Sequence, residues 1–133
     1  MTVKKLFQIY LSDSNEGLPP LLEKASESFK QSFPDYSYDL YDFYSLEELI
    51  KNEIGNDAHR AFKKLKPYAY KADLGRYCIG YLKGGWYADI SIKMLKGINL
   101  EDVEFLGFTD RGRGFQSPNT IPYPVSNALF YVN

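Results

Sequence analysis

The chain has 133 residues, with 16 Lys+Arg against 17 Asp+Glu and a formal net charge of −1; this predicts one domain over residues 1–133 and gives no basic face of the kind nucleic acid requires. One cysteine excludes an internal disulfide framework and most cysteine-based metal sites. No apolar run approaches the roughly 20 residues of a membrane span, and Met1 to Leu6 lacks the apolar run of a signal peptide, so a cytoplasmic protein is expected.

Leu6-Phe7-Gln8-Ile9-Tyr10-Leu11 reads as a first strand, and Ser12 to Gly17 as a polar turn. Pro19 and Pro20 suit the first turn of a helix, where a missing N–H costs nothing. Leu22, Ala25, Phe29 and Phe33 then recur at spacings of three and four, one face of a helix that stops at Pro34. Tyr36, Tyr38 and Leu40 alternate with Ser37, Asp39 and Tyr41, a strand pattern. Ser45-Leu46-Glu47-Glu48 reads as a capping box with Ser45 at the N-cap, opening a short helix to about Ile54.

Asp57 to Leu65 predicts a further short helix, closed before Pro67. A longer helix is expected from Ala69 to Lys83, with Leu74, Cys78, Tyr81 and Leu82 on its apolar stripe, ended by Gly84-Gly85. Trp86 to Ile92 reads as a buried strand, Phe105 to Thr109 as another, and Ser126 to Val132 as the last. Between the last two, Asp110 to Pro124 is a loop rich in Gly and Pro; its Arg111 and Arg113 suit a lid over an anionic ligand, or a plain solvated turn. Strands that alternate with helices predict an α/β fold, with a mainly parallel sheet flanked by helices. Ligands of such folds sit at the carboxyl ends of the strands.

The chemistry-bearing segment runs from Tyr70 to Ser91. Asp73, Arg76 and Gly80 lie at i, i+3 and i+7 on one helix face, and Asp89 lies near the end of the strand that follows. An acid–base pair on a helix is thereby able to converge with a strand-end carboxylate. The bland alternative is an ordinary surface pair, worth about 0.2–0.5 kcal/mol. Tyr10 and Tyr87 suit either a core or a flat surface for rings and sugars, in a chain that is 17% aromatic. His59 has no histidine or cysteine partner and is expected as a solvated helix residue, while Cys78 is expected as buried filler. With one histidine, no Ser–His–Asp or Cys–His arrangement is available. Gly112-Arg113-Gly114 lacks the strand-then-helix setting of a dinucleotide site.

Lys71-Ala72-Asp73-Leu74-Gly75-Arg76-Tyr77, followed by Gly84-Gly85-Trp86-Tyr87-Ala88-Asp89-Ile90-Ser91, resembles the donor-sugar region of DXD-type glycosyltransferases with a GT-A fold. The nearest type is family 32, the capsular-polysaccharide and sphingolipid glycosyltransferases; the large clostridial glucosyltransferase toxins are more distant. The resemblance runs from about residue 4 to 132 and is densest from 67 to 97. It implies a Rossmann-like nucleotide-sugar-binding fold, here truncated. It implies a retaining transferase that takes a nucleotide-sugar donor, UDP-sugar first, and passes the sugar to a glycan or other acceptor. Tyr10 would stack on the base, Asp73 would bond the sugar or ribose, and Arg76 would bind donor oxygens or orient the aspartates. Tyr87 and Asp89 would line the ribose and sugar.

The resemblance also implies Mn²⁺ or Mg²⁺ at Asp89 and Ser91, because hard oxygen ligands hold these cations. Ser91 stands where the family's pattern has a second aspartate, which predicts weaker metal binding. The family's longer carboxyl-terminal part, which completes the acceptor site, has no counterpart in these residues. A donor-binding module without transfer, and donor hydrolysis alone, are the alternatives; a homo-oligomer is a further expectation, since exposed aromatics favour association.

Overall fold

The computed structural model describes residues 2–14, 16–109 and 125–133. The expected lid, with Arg111 and Arg113, lies outside the described residues. Among the described residues, five strands form one sheet in the order β2-β1-β3-β5-β4, with β1 at Lys5–Ile9, β2 at Ser37–Tyr41, β3 at Gly85–Ala88, β4 at Phe105–Thr109 and β5 at Val125–Val132. β1 pairs in parallel with both β2 and β3, while β5 is antiparallel to β3 and β4. Four strands therefore point one way and β5 is reversed. The α-helices among the described residues are α1 (Pro20–Ser32), α2 (Phe43–Leu49), α3 (Asn56–Lys64) and α4 (Tyr68–Lys83), and α2 runs on into a π-helical turn, Ile50–Ile54.

Alternation along the central strands builds a core on each face of the sheet. Phe7, Ile9, Tyr87 and Phe130 point to the side of α2, α3 and α4, where they meet Leu46, Leu49, Phe62, Cys78 and Ile79. Leu6, Trp86, Ala88 and Tyr131 point the other way, onto Phe29 of α1 and Phe33 just past its end. Both faces of β3 are buried along its whole length, as a parallel strand between helix layers requires. Cys78 is a buried free thiol on α4, as its apolar stripe predicts.

Three local expectations are corrected. The strand expected to run to Ile92 ends at Ala88, because its pairing with β1 stops at Phe7 and Tyr87 and the chain turns, with the Ile92 N–H on the Asp89 carbonyl at 2.9 Å. Ser91 thus sits on an exposed turn rather than in a strand. The second helix starts at Phe43, because Asp42 caps it: the Asp42 carboxylate accepts from the Ser45 N–H at 2.8 Å, and Ser45 Oγ accepts from the Asp42 N–H at 2.9 Å. Ser45 is therefore the third residue of the box and not its cap. These bonds, first the Ser45 backbone N–H, hold the Asp42 carboxyl below the usual carboxylate range. Lastly, His59 is no solvated residue: its side chain is 15% exposed and meets Glu47 Oε1 at 3.0 Å, tying α3 to α2.

Candidate active site

α4 crosses the sheet so that its polar face meets the carboxyl end of β3. Asp73 and Arg76, one turn apart, form an ion pair at 2.8 Å, and the same Arg76 Nη2 reaches Asp89 Oδ1 at 3.2 Å. Arg76 Nη1 donates to the Asn127 carbonyl at 2.7 Å, and Nε donates to the Ala72 carbonyl at 3.4 Å. The guanidinium carbon lies 4.8 Å from the centroid of the Tyr87 ring, a cation–π distance. The Arg76 side chain is 6% exposed, while those of Asp73 and Asp89 are 48% and 36% exposed. Arginine suits this place because its planar fork aims five N–H donors at separated acceptors, where a lysine ammonium has three donors at a single point.

Tyr87 completes the cluster by donating to Asp89 Oδ1 at 2.5 Å. Burial pushes its phenol pKa far up, Arg76 opposes this in part, and the bond to Asp89 adds to the rise. Tyr87 is thus a fixed proton donor to Asp89 and not a base. Replacing it by Phe is expected to cost about 0.5–1.5 kcal/mol, the net value of one hydrogen bond. Urea unfolding should show a lower midpoint with an unchanged slope; an unchanged midpoint would discount the bond.

Asp73, Arg76, Tyr87, Asp89 and Ser91 line one cleft of about 350 Å³, with Asn127 at its side. Tyr10 does not join them. Its N–H continues the ladder onto the Tyr41 carbonyl at 2.9 Å. Its side chain lines a second cleft of about 550 Å³, shared with Leu40, Asp42 and Tyr44. Ile9 lines the first cleft and its neighbour Tyr10 the second, so both open at the carboxyl end of β1. A more apolar cleft of about 380 Å³ lies between α4 and β5, around Tyr77, Tyr81 and Phe130; among the described residues, none of those lining it carries a carboxylate or guanidinium.

Two contributors escape a reading by motif. Asn127 serves through its backbone carbonyl, which no sequence pattern marks. Gln8 is fully buried and donates from Nε2 to the Ala88 and Asp89 carbonyls at 3.1 and 3.3 Å. A lone amide inside Leu6-Phe7-Gln8-Ile9 was its available signal.

The donor set accommodates a divalent cation only in part. Among the described residues, no cluster of three or more His, Cys, Asp or Glu side chains is placed to hold a metal ion. Asp89 Oδ1 already accepts from Tyr87 and lies against Arg76. Of the two expected ligands, that leaves Asp89 Oδ2 and the Ser91 hydroxyl, on one turn and lining one cleft. Mg²⁺ needs six ligands and readily takes several from water and phosphate, so two protein oxygens fit a cation that arrives with a diphosphate. One guanidinium against two carboxylates leaves a net negative cluster. It suits hydroxyl groups directly, and a diphosphate only with an added cation.

No family model matches the chain. Among the described residues, no helix is long and apolar enough to cross a membrane. The chain is 31% identical over 93 residues to an uncharacterized glycosyltransferase of Acanthamoeba polyphaga mimivirus, which covers 70% of this chain and 36% of that protein. The fold matches a solved structure, the PaToxG glycosyltransferase, with a TM-score of 0.71 and 18% identity, over 99% of this chain and 55% of that one. The chain thus spans about a third of the viral relative and about half of the solved one. It is similar in sequence to a protein named as a glycosyltransferase, and it has the α/β fold of a solved glycosyltransferase.

Proposed function

We propose that this chain is a small nucleotide-sugar-dependent glycosyltransferase of the DXD, family 32 kind, with a UDP-sugar as donor and retention at the anomeric carbon. The carrying observation is the buried Arg76 that links Asp73 on α4 to Asp89 at the end of β3, within a cleft at the carboxyl end of a parallel strand pair. That place is where open α/β sheets bind ligands. Partly exposed carboxylates accept hydrogen bonds from sugar and ribose hydroxyls, and Arg76 holds both at fixed spacing. The Tyr10 cleft takes the base, for which a tyrosine offers a flat face.

In the transfer, the bond from the anomeric carbon to the diphosphate oxygen breaks. A new bond forms to the acceptor hydroxyl oxygen, whose proton passes to the departing diphosphate oxygen. Mn²⁺ or Mg²⁺, when bound, stabilises the departing diphosphate as a Lewis acid. Asp89 and Ser91 would hold it, while Arg76 and Tyr87 fix the Asp89 carboxylate and Asp73 orients the sugar.

Calorimetric titration with UDP and GDP, with and without Mn²⁺, tests this reading. Binding that tightens with Mn²⁺ and weakens by about tenfold or more in Asp89→Ala is expected, the scale of one lost charged contact. Ser91→Asp is expected to strengthen the Mn²⁺ dependence, because a carboxylate replaces a neutral oxygen. No heat with either nucleotide at millimolar ligand would sink the donor-site reading. The weak donor set at Asp89 and Ser91 favours a second reading, a binding module without transfer. UDP binding with no UDP release over a panel of UDP-sugars and acceptors would select it.

A further inference from the structure

Gln8 lies in the middle of the sheet, on the α1 face of β1 between β2 and β3, and is 0% exposed. A buried amide is costly unless its polar atoms find partners. Here both ends are occupied. Tyr38 Oη donates to Gln8 Oε1 at 2.8 Å, and Gln8 Nε2 donates to the Ala88 and Asp89 carbonyls. Both neighbours of Nε2 are carbonyls, which only accept, so the amide has one orientation. Tyr38, having given its proton to Gln8, accepts from Ser26 Oγ at 2.8 Å. Ser26 is itself 2% exposed on α1. The bonds therefore run in one direction, from α1 through β2 and β1 to the end of β3.

That end is where Asp89 departs from the sheet. The β1–β3 ladder stops at Phe7 and Tyr87, and the Gln8 amide takes over the next carbonyls. On the other side, the Asp89 N–H donates to the Ala128 carbonyl at 2.8 Å. The Asp89 peptide is thus gripped from β1 and from β5. Rotation about it would swing the carboxylate away from Arg76 and Tyr87. A methionine would fill the same volume, so packing alone gives no reason for an amide here.

We propose that Gln8 is a positioning residue of the donor site: oriented by Tyr38 and Ser26, its amide fixes the Asp89 peptide and so aims the Asp89 carboxylate and the Ser91 hydroxyl into the cleft. The ligand in this statement rests on the nucleotide-sugar reading above; the positioning of Asp89 does not.

Amide hydrogen exchange on the unliganded chain and titration with UDP plus Mn²⁺ test it together. In Gln8→Met, exchange at the Asp89 and Ile92 amides should rise by about tenfold or more, UDP affinity should fall by about tenfold, and α3 should be unaffected. Tyr38→Phe should move both in the same direction by less, and it serves alone if Gln8→Met does not fold. Phe29→Leu, a core change in the same layer, should lower the melting temperature while leaving both readings within about twofold. Unchanged exchange at the two amides, or Phe29→Leu reproducing both effects, would overturn the proposal. A wild-type chain that binds no UDP overturns the nucleotide reading, and the exchange result still decides the role of Gln8.

Discussion

Arg76→Met should lose about 2–4 kcal/mol of folding stability and, on the nucleotide-sugar reading proposed above, most of the affinity for UDP with Mn²⁺. The Arg76 side chain is 6% exposed and is shared by Asp73, Asp89 and two backbone carbonyls on α4 and β5. Methionine fills much of the volume and supplies none of the donors. Two carboxylates are then left side by side without their cation, and the Asn127 carbonyl loses its partner. Breaking a fully buried pair costs about 3–5 kcal/mol. Asp73 and Asp89 are 48% and 36% exposed, so water recovers part of that loss and sets the lower range. Arg76→Lys should fall between, because an ammonium meets one acceptor well and not four. Urea midpoints and calorimetric titration read both effects. A methionine variant within about 0.5 kcal/mol of the parent, the range of ordinary surface changes, would remove Arg76 from the centre of the site.

Gly85→Val should leave little soluble folded protein, with a loss of about 3 kcal/mol or more. Gly85 has φ +106, and a Cβ there would lie 2.5 Å from the Lys5 carbonyl oxygen. That oxygen belongs to the β1 backbone, which cannot yield without unpairing the centre of the sheet. Gly85 also begins β3, the strand that delivers Tyr87 and Asp89 to the cleft. Gly80→Ala is the matched control. Its Cβ would meet the Phe130 ring at 3.4 Å, an ordinary contact, and alanine favours the helix by about 1 kcal/mol over glycine. Yield and thermal midpoint should separate the two. A Gly85→Val chain that melts like the parent would show that β3 tolerates displacement from β1.

Much of the site was legible because its parts are close in sequence. Asp73 and Arg76 are three apart, so any helix over 69–83 puts them together. Gly84-Gly85 announced the tight passage from α4 into β3, and positive φ at both positions is the backbone conformation that glycine admits. The grouping of Asp73, Arg76, Tyr87, Asp89 and Ser91 in one cleft follows from that single helix-turn-strand unit. Tyr10 was readable as the end of β1, but not as the wall of a second cleft. Its surroundings are Leu40, Asp42 and Tyr44, whose distance from it is set by β1–β2 pairing rather than by spacing.

The sequence by itself determined the order and type of the elements, since hydrophobic periods of 2 and 3.6 report which face each segment buries. It also determined the acid–base pair of α4 and the glycine turn, which are short-range consequences of backbone geometry. Only the tertiary structure decided that β5 runs backwards between β3 and β4, which brings the Asn127 carbonyl to Arg76. Tertiary contact likewise decided that Gln8, 81 residues from Asp89, holds its peptide. It also turned His59 inward onto Glu47. Each of these depends on which elements pair or pack together and in what register. Periodicity is blind to that choice, because a buried strand presents the same pattern to any neighbour, and the choice falls to the packing that satisfies every buried polar group at once.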